Sequence, residues 1–174
     1  SLFASGELGA WYDPSDLSTM FQDTAGTIPV TTAGQTVARI NDKSGRGNNL
    51  TQATAANRPA YQTSGGLHWL EFDGVNDQMA TAGSIGLSAP IISAFVGFQN
   101  TATGLQGVWS NDRYRQTTFG TNFRFTTLGV LDYSFNSAIS ASTNVVMSSV
   151  FDAAFDVDFR KNGAAGTFIT GSSD

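Results

Sequence analysis

Cysteine is absent from the 174 residues. That excludes a disulfide-stapled small domain, a cysteine zinc site and a thiol nucleophile. Charge is scarce: Asp, Glu, Lys and Arg make up 13% of the chain, against a usual share of about 25%. Only 9 residues are Lys or Arg and the net charge is −5. No basic cluster exceeds two residues, and phosphate neutralisation needs a basic patch, so the composition argues against nucleic acid as a partner. His68 is the single histidine. A Ser-His-Asp triad has to use it, and no G-x-S-x-G elbow accompanies it. No apolar run approaches the ~20 residues of a spanning helix, so no membrane insertion is expected. Ser1-Leu2-Phe3 has no basic or long apolar stretch, so no signal peptide is read. The first residue is not Met, and the chain is expected to be a fragment of something larger.

What the sequence has is apolar residues, glycine and small polar residues. Hydrophobic residues make up 40%, aromatics 11%, and there are 19 Gly and 13 Phe. That mix suits strands joined by many polar turns, with Phe as the expected core residue. In the lead-in LFASGELGAWYDPSDLSTMFQD, Leu17, Met20 and Phe21 follow DPSD at helical spacing. Asp13 is the expected cap ahead of Pro14, giving one or two helical turns. Residues 27–36, preceded by Gly26 and holding Pro29 and Gly34, read as a loop or short hairpin, and Val37, Ala38 and Ile40 make a short strand. DKSGRGNNLTQATAANRPAY reads as an ordered loop in which Pro59-Ala60-Tyr61 enters an extended segment. Residues 67–72 follow as a buried strand.

Later strands are read at 91–98 and 145–151, both central, and around Phe119, Phe123 and Phe125. Others are read at Leu131, Tyr133 and Phe135, and at Phe155, Val157 and Phe159 by their period of two. Asn162-Gly163 marks a type I′ turn, with residues 167–170 as the returning strand. Short strands with turn signals every ~8–12 residues point to an all-β sandwich or jelly roll. The chain is expected to stop one or two strands before such a sandwich closes.

DKSGRGNNL, then a Pro-containing segment, then LEFDGVNDQM resembles the laminin G-like members of the concanavalin A-like jelly-roll superfamily. Those domains carry a D-x-S-G-x-G-N-x stretch followed by a strand of the form L-x-F-D-G-x-x-D. ISAFV and VVMSSVFDAAFDVDFRKNGAAGT resemble the following core strand and the later strand pair. The resemblance implies a β-sandwich jelly roll over residues 37–174, C-terminally incomplete, with residues 1–36 as a lead-in packing on it through a short helical turn. The lead-in resembles that of tail and virion proteins of tailed bacteriophages. This implies a non-enzymatic module on the virion surface, a homo-oligomer such as a trimer, that binds host-surface glycan or another receptor. The alternative is a structural head or tail decoration domain that docks to other virion proteins.

The candidate chemistry is modest. Asp73-Gly74 and Asp77 read first as turn caps. Calcium is the functional alternative, with Asp42, Asp73 and Asp77 as its carboxylates, although the spacing is not that of an EF-hand. No other cofactor is implied. Glycosidases of the resembled superfamily use a Glu-x-Asp-x-Glu strand, whereas the two glutamates here, Glu7 and Glu71, lie far apart. Asp156 and Asp158 share a strand face about 6–7 Å apart by strand geometry, and read as a solvated face. SGRGNN has neither Walker nor Rossmann spacing. A glycan needs an aromatic platform with polar groups at its rim. WSNDRYRQ is the best local match, through Trp109, Asn111, Asp112, Arg113, Tyr114 and Arg115. Trp11 is expected to staple the helical turn, Trp69 to face outward, and His68, Leu70 and Phe72 to face the core.

Overall fold

The structure is a computed structural model. It describes residues 3–4, 6–87, 92–99, 105–110, 114–119, 122–127, 131–135, 144–151, 157–165 and 168–170. The described residues are all-β, with two short 3₁₀ turns and no longer helix. The chain divides into two compact units, Ser1–Leu87 and Ser88–Asp174. The expected boundary at residue 36 falls inside the first unit.

In the first unit, β1 (Met20–Phe21), β2 (Arg39–Ile40), β3 (Leu50–Thr51) and β6 (Ala80–Thr81) form an antiparallel sheet in the order β1-β2-β3-β6. Between them, β4 (Ala60–Ser64) and β5 (Leu67–Glu71) pair as a hairpin. Gly65 and Gly66 close it with φ of 59° and 79°. Those angles suit the two-residue turn that matches strand twist, and only glycine adopts both freely.

The buried cluster is Met20, Val30, Val37, Ile40 and Tyr61, with Tyr12, Leu17, Leu50, Leu70 and Met79 packed against it. Phe is absent from that core, against expectation: Phe21 is half-buried and Phe72 is 49% exposed. Met, Val and Ile side chains fill the space around one buried aromatic, Tyr61. The lead-in therefore joins the core, because Met20 and Phe21 pair with Ile40 and Arg39.

The helical turn is shorter than the spacing predicts. It covers Leu17–Thr19, and Asp16, not Asp13, accepts the capping bond from Ser18 N. Asp13 closes its own turn by accepting from Ser15 N. Met20 and Phe21 are strand residues, drawn off the helix by pairing with β2 and by the bond from Val30 N to Met20 O. Of the two readings of residues 27–36, the loop holds: Pro29 bridges back to Phe21 and Thr36 bridges to Ala60, and no strand pairs within this segment of the described residues.

β5 is not buried as a whole. Leu67, Trp69 and Glu71 face out, while His68 and Leu70 turn inward and are half-buried. Leu70 packs on the core. Phe72 does not follow it, because the strand ends at Glu71 and Asp73 immediately closes a turn.

The second unit holds two antiparallel sheets among the described residues. One has the order β15-β11-β10-β9-β8, made of β8 (Leu105–Ser110), β9 (Tyr114–Phe119), β10 (Asn122–Thr127), β11 (Leu131–Phe135) and β15 (Phe168–Thr170). The other has the order β14-β13-β12-β7, made of β7 (Ile92–Gln99), β12 (Asn144–Phe151), β13 (Val157–Lys161) and β14 (Ala164–Ala165). β12 is central, as its run of Val and Met predicts. β7 lies at the end of that order, and its Phe95 is 74% exposed. Asn162 and Gly163 form the expected turn, with φ of 49° and 81°. The strand returning from it is β14; β15, the expected partner, pairs with β11 instead.

Candidate functional site

The segment WSNDRYRQ spans the β8–β9 hairpin, with Ser110 opposite Arg115 and Trp109 opposite Gln116. Trp109 lies on β8, and Tyr114 and Arg115 on β9. Asn111, Asp112 and Arg113 lie outside the described residues, as does Asp156. Asp158 is exposed and pairs with Arg160 at 3.3 Å.

The three carboxylates proposed for calcium sit in two loops. Asp42 Oδ1 accepts from Trp11 N (2.9 Å) and Ser44 N (2.8 Å), and its Oδ2 accepts from Ser44 Oγ (2.7 Å) and Asn48 N (3.1 Å). Burial opposes its ionised form. The bonds from Ser44, Trp11 and Asn48 outweigh burial and hold the carboxyl below its usual range. Tyr12 donates its hydroxyl to Asn48 O. Burial, helped by the negative charge of Asp42, pushes the phenol up to about 12. Lys43 pairs with Asp13 and Asp16 at 2.9 Å each and lies 4.7 Å from the Trp11 ring centre. The loop thus clasps the lead-in, and Trp11 joins the clasp rather than acting alone as a staple.

Asp73 Oδ1 accepts from the backbone N–H of Val75, Asn76 and Asp77, and Asp73 N donates to Asp77 Oδ2. The bonds from Val75 and Asn76 lower its pKa. This is the turn-capping arrangement. Among the described residues, no three His, Cys, Asp or Glu side chains are grouped to hold a metal ion.

Carboxylate use in the first unit isolates one residue. Asp13, Asp16, Asp23, Asp42, Asp73, Asp77 and Glu7 each accept a backbone N–H. Glu71 does not: among the described residues its hydrogen bond comes from the Gln62 side chain, at 2.7 Å. Gln62 lies directly opposite Trp69, and Glu71 follows Trp69 on the same outward face. Trp69 is 39% exposed. Behind this face, the Tyr61 hydroxyl meets His68 Nδ1 at 2.7 Å, so the histidine serves the hairpin's inner side. The outward Trp69 was expected; its Gln62 and Glu71 neighbours were not. Their signal was Ser64-Gly65-Gly66-Leu67, a hairpin turn that fixes the register across β4 and β5.

A second candidate is an open cleft of about 220 Å³ between β2, β3 and the segment after β6. Arg39, Asn48, Asn49, Thr51, Thr81 and Ser84 supply its polar lining. No protein-family model, curated protein or solved structure matches this chain.

Proposed function

We propose that the chain is a non-enzymatic surface module of a tailed-bacteriophage virion, built on a laminin G-like jelly roll, that binds host-surface glycan. The observation that carries the glycan reading is the outward face of the β4–β5 hairpin. Trp69 offers a flat apolar surface for the C–H face of a sugar, and the Gln62–Glu71 pair beside it offers acceptors for hydroxyls. Short antiparallel strands in several sheets are compatible with the jelly roll. A single shallow platform binds weakly. A trimeric or arrayed module gains affinity by presenting several copies.

The test is binding of the chain, displayed in many copies on beads, to candidate host cells. Saturable binding, competed by purified host polysaccharide and weakened about tenfold in Trp69→Ala, supports the reading. Absence of binding by a folded multivalent preparation overturns it.

One observation favours the structural alternative, docking to other virion proteins. Leu67, Phe72 and Val75 are exposed close in sequence to Trp69. Exposed apolar side chains on and just beyond one hairpin suit a protein partner. Under that reading host polysaccharide does not compete, and Leu67→Ser weakens assembly as much as Trp69→Ala does.

A further inference from the structure

The cleft beside β2 and β3 differs chemically from the Trp69 face. No aromatic side chain and no carboxylate lines it. What it offers is hydrogen-bond donors. Arg39 donates through Nε to Asn41 Oδ1 at 2.7 Å, and through Nη1 to the carbonyls of Thr24 and Ala25 at 3.4 and 3.3 Å. Its Nη2 has no partner among the described residues. No carboxylate of those residues lies within ion-pair distance of Arg39. Asn49 accepts from Asp42 N through Oδ1, which leaves its amide nitrogen unspent among the described residues. Ser84 Oγ accepts from Gly86 N, and its own proton has no acceptor among them.

A half-buried guanidinium answered only by neutral oxygens keeps its positive charge uncompensated. Beside it stand one amide donor and one hydroxyl donor, in a space smaller than a drug-sized pocket, which runs to about 300–1,000 Å³. Without an aromatic floor, stacking contributes nothing to a sugar held there, and a neutral sugar gains only exchanged hydrogen bonds. A carboxylate answers the charge and takes paired N–H donors, which is the stronger class of bond. We propose that this cleft binds one carboxylate-bearing sugar residue, with Arg39 receiving the carboxylate and Asn49 and Ser84 donating to ring or hydroxyl oxygens.

Asn48 and Asn49 enter the cleft already fixed, since both are tied to Asp42. Arg39 also ties down the turn at Thr24 and Ala25, so removing it has a structural cost. Gly83 gives an independent handle. It lines the cleft, a Cβ added there meets nothing within 4 Å, and its φ lies outside the left-handed region. Gly83→Phe therefore narrows the cleft without straining the backbone.

The experiment is a titration of the folded chain followed by amide chemical shifts. The probes are galacturonate, galactose and acetate. Galacturonate is expected to shift the amides of residues 47–51 and 81–84 to saturation, with galactose and acetate each at least tenfold weaker. Gly83→Phe is expected to abolish those shifts, and Arg39→Gln to lower galacturonate binding to the level of galactose. Equal binding of galactose and galacturonate overturns the role of the charge. Equal binding of acetate and galacturonate overturns the sugar. Absence of shifts at the cleft, or shifts that survive Gly83→Phe, overturns the site. Trp69→Ala is expected to leave the titration unchanged, so the glycan reading of the hairpin face and the cleft proposal fail separately.

Discussion

Replacing Asp42 by Ala tests the clasp that holds the lead-in. The carboxylate accepts four hydrogen bonds. Two come from Ser44, two residues away, and water replaces them readily once the carboxylate is gone. The other two join separate segments: Trp11 N lies 31 residues back and Asn48 N six residues on. A hydrogen bond to a charged group contributes about 1.5–3 kcal/mol. Asp42 is only partly buried, so solvent screening lowers each to about 1 kcal/mol. The loss of Asn48's anchor also loosens its bonds to Gly9 and Tyr12. The expected cost is about 2–3 kcal/mol, a drop of about 1–2 M in urea midpoint at the usual m-value. The assay is tryptophan fluorescence in a background where Trp69 and Trp109 are Phe, so that Trp11 alone reports.

The pH dependence supplies a second reading of the same substitution. The folded pKa of Asp42 is lowered, so its contribution is complete above the unfolded-chain value of about 3.9. It is lost as pH falls through the folded value. The gap between the native chain and Asp42→Ala is therefore expected to be constant from pH 7 to about 5, and to narrow below about 4. A midpoint unchanged within about 0.3 M, under 1 kcal/mol at usual m-values, refutes the clasp. So does a gap that widens on acidification.

Tyr61→Phe removes the hydroxyl that meets His68 Nδ1 and leaves the ring in place. It is expected to cost about 1–1.5 kcal/mol, read as a lower urea midpoint; an unchanged midpoint means the pair holds nothing. Addition of 1 mM calcium is expected to leave the midpoint unchanged, because Asp42 and Asp73 direct their oxygens to N–H and O–H donors of their own loops. A calcium site with a Kd of about 10 μM would raise stability by about 2.7 kcal/mol, and a rise of that size, reversed by chelator, restores the metal reading.

Local signals were legible where backbone conformation decides the outcome. Asn162-Gly163 gave its turn, Asp73-Gly74 its cap and Pro59-Ala60-Tyr61 its extended entry, because each rests on a few dihedral angles. Pairing between distant segments was not legible. Nothing local in Met20-Phe21 says strand rather than helix; the partner at Arg39 and Ile40 decides. β14 likewise takes the place beside β13 that residues 167–170 were expected to fill. Burial was overread from hydrophobicity, since Phe72 sits one residue past the end of its strand. The candidate site shows the same division. Trp69's outward face follows from alternation within one strand, whereas Gln62 and the cleft depend on which strands lie side by side.

The shortage of charge gains a physical explanation from this arrangement. β1, β2, β3 and β6 are two residues long and make few ladder bonds, so the first unit needs other means of holding its loops. Its aspartates supply them, each accepting a backbone N–H, and Arg58 does the converse by donating to the carbonyls of Gln52, Gln22 and Ala53. Lys43 is spent on Asp13 and Asp16. When charged groups are so few and nearly all close a loop, one that keeps bonding capacity to spare is informative. Glu71 beside Trp69 and Arg39 in its cleft are the clearest such groups. One presents an acceptor beside an aromatic face, and the other a donor without a counter-charge. Loops fixed by buried or capped backbone bonds keep the cleft's lining in place before any ligand arrives, which lowers the ordering cost of binding. Weakening the clasp should therefore weaken the cleft: Asp42→Ala, which touches no ligand in the proposed pose, is expected to reduce galacturonate binding as Asn48 loses its carboxylate anchor, while Asn49 keeps its bond from the backbone N–H of residue 42.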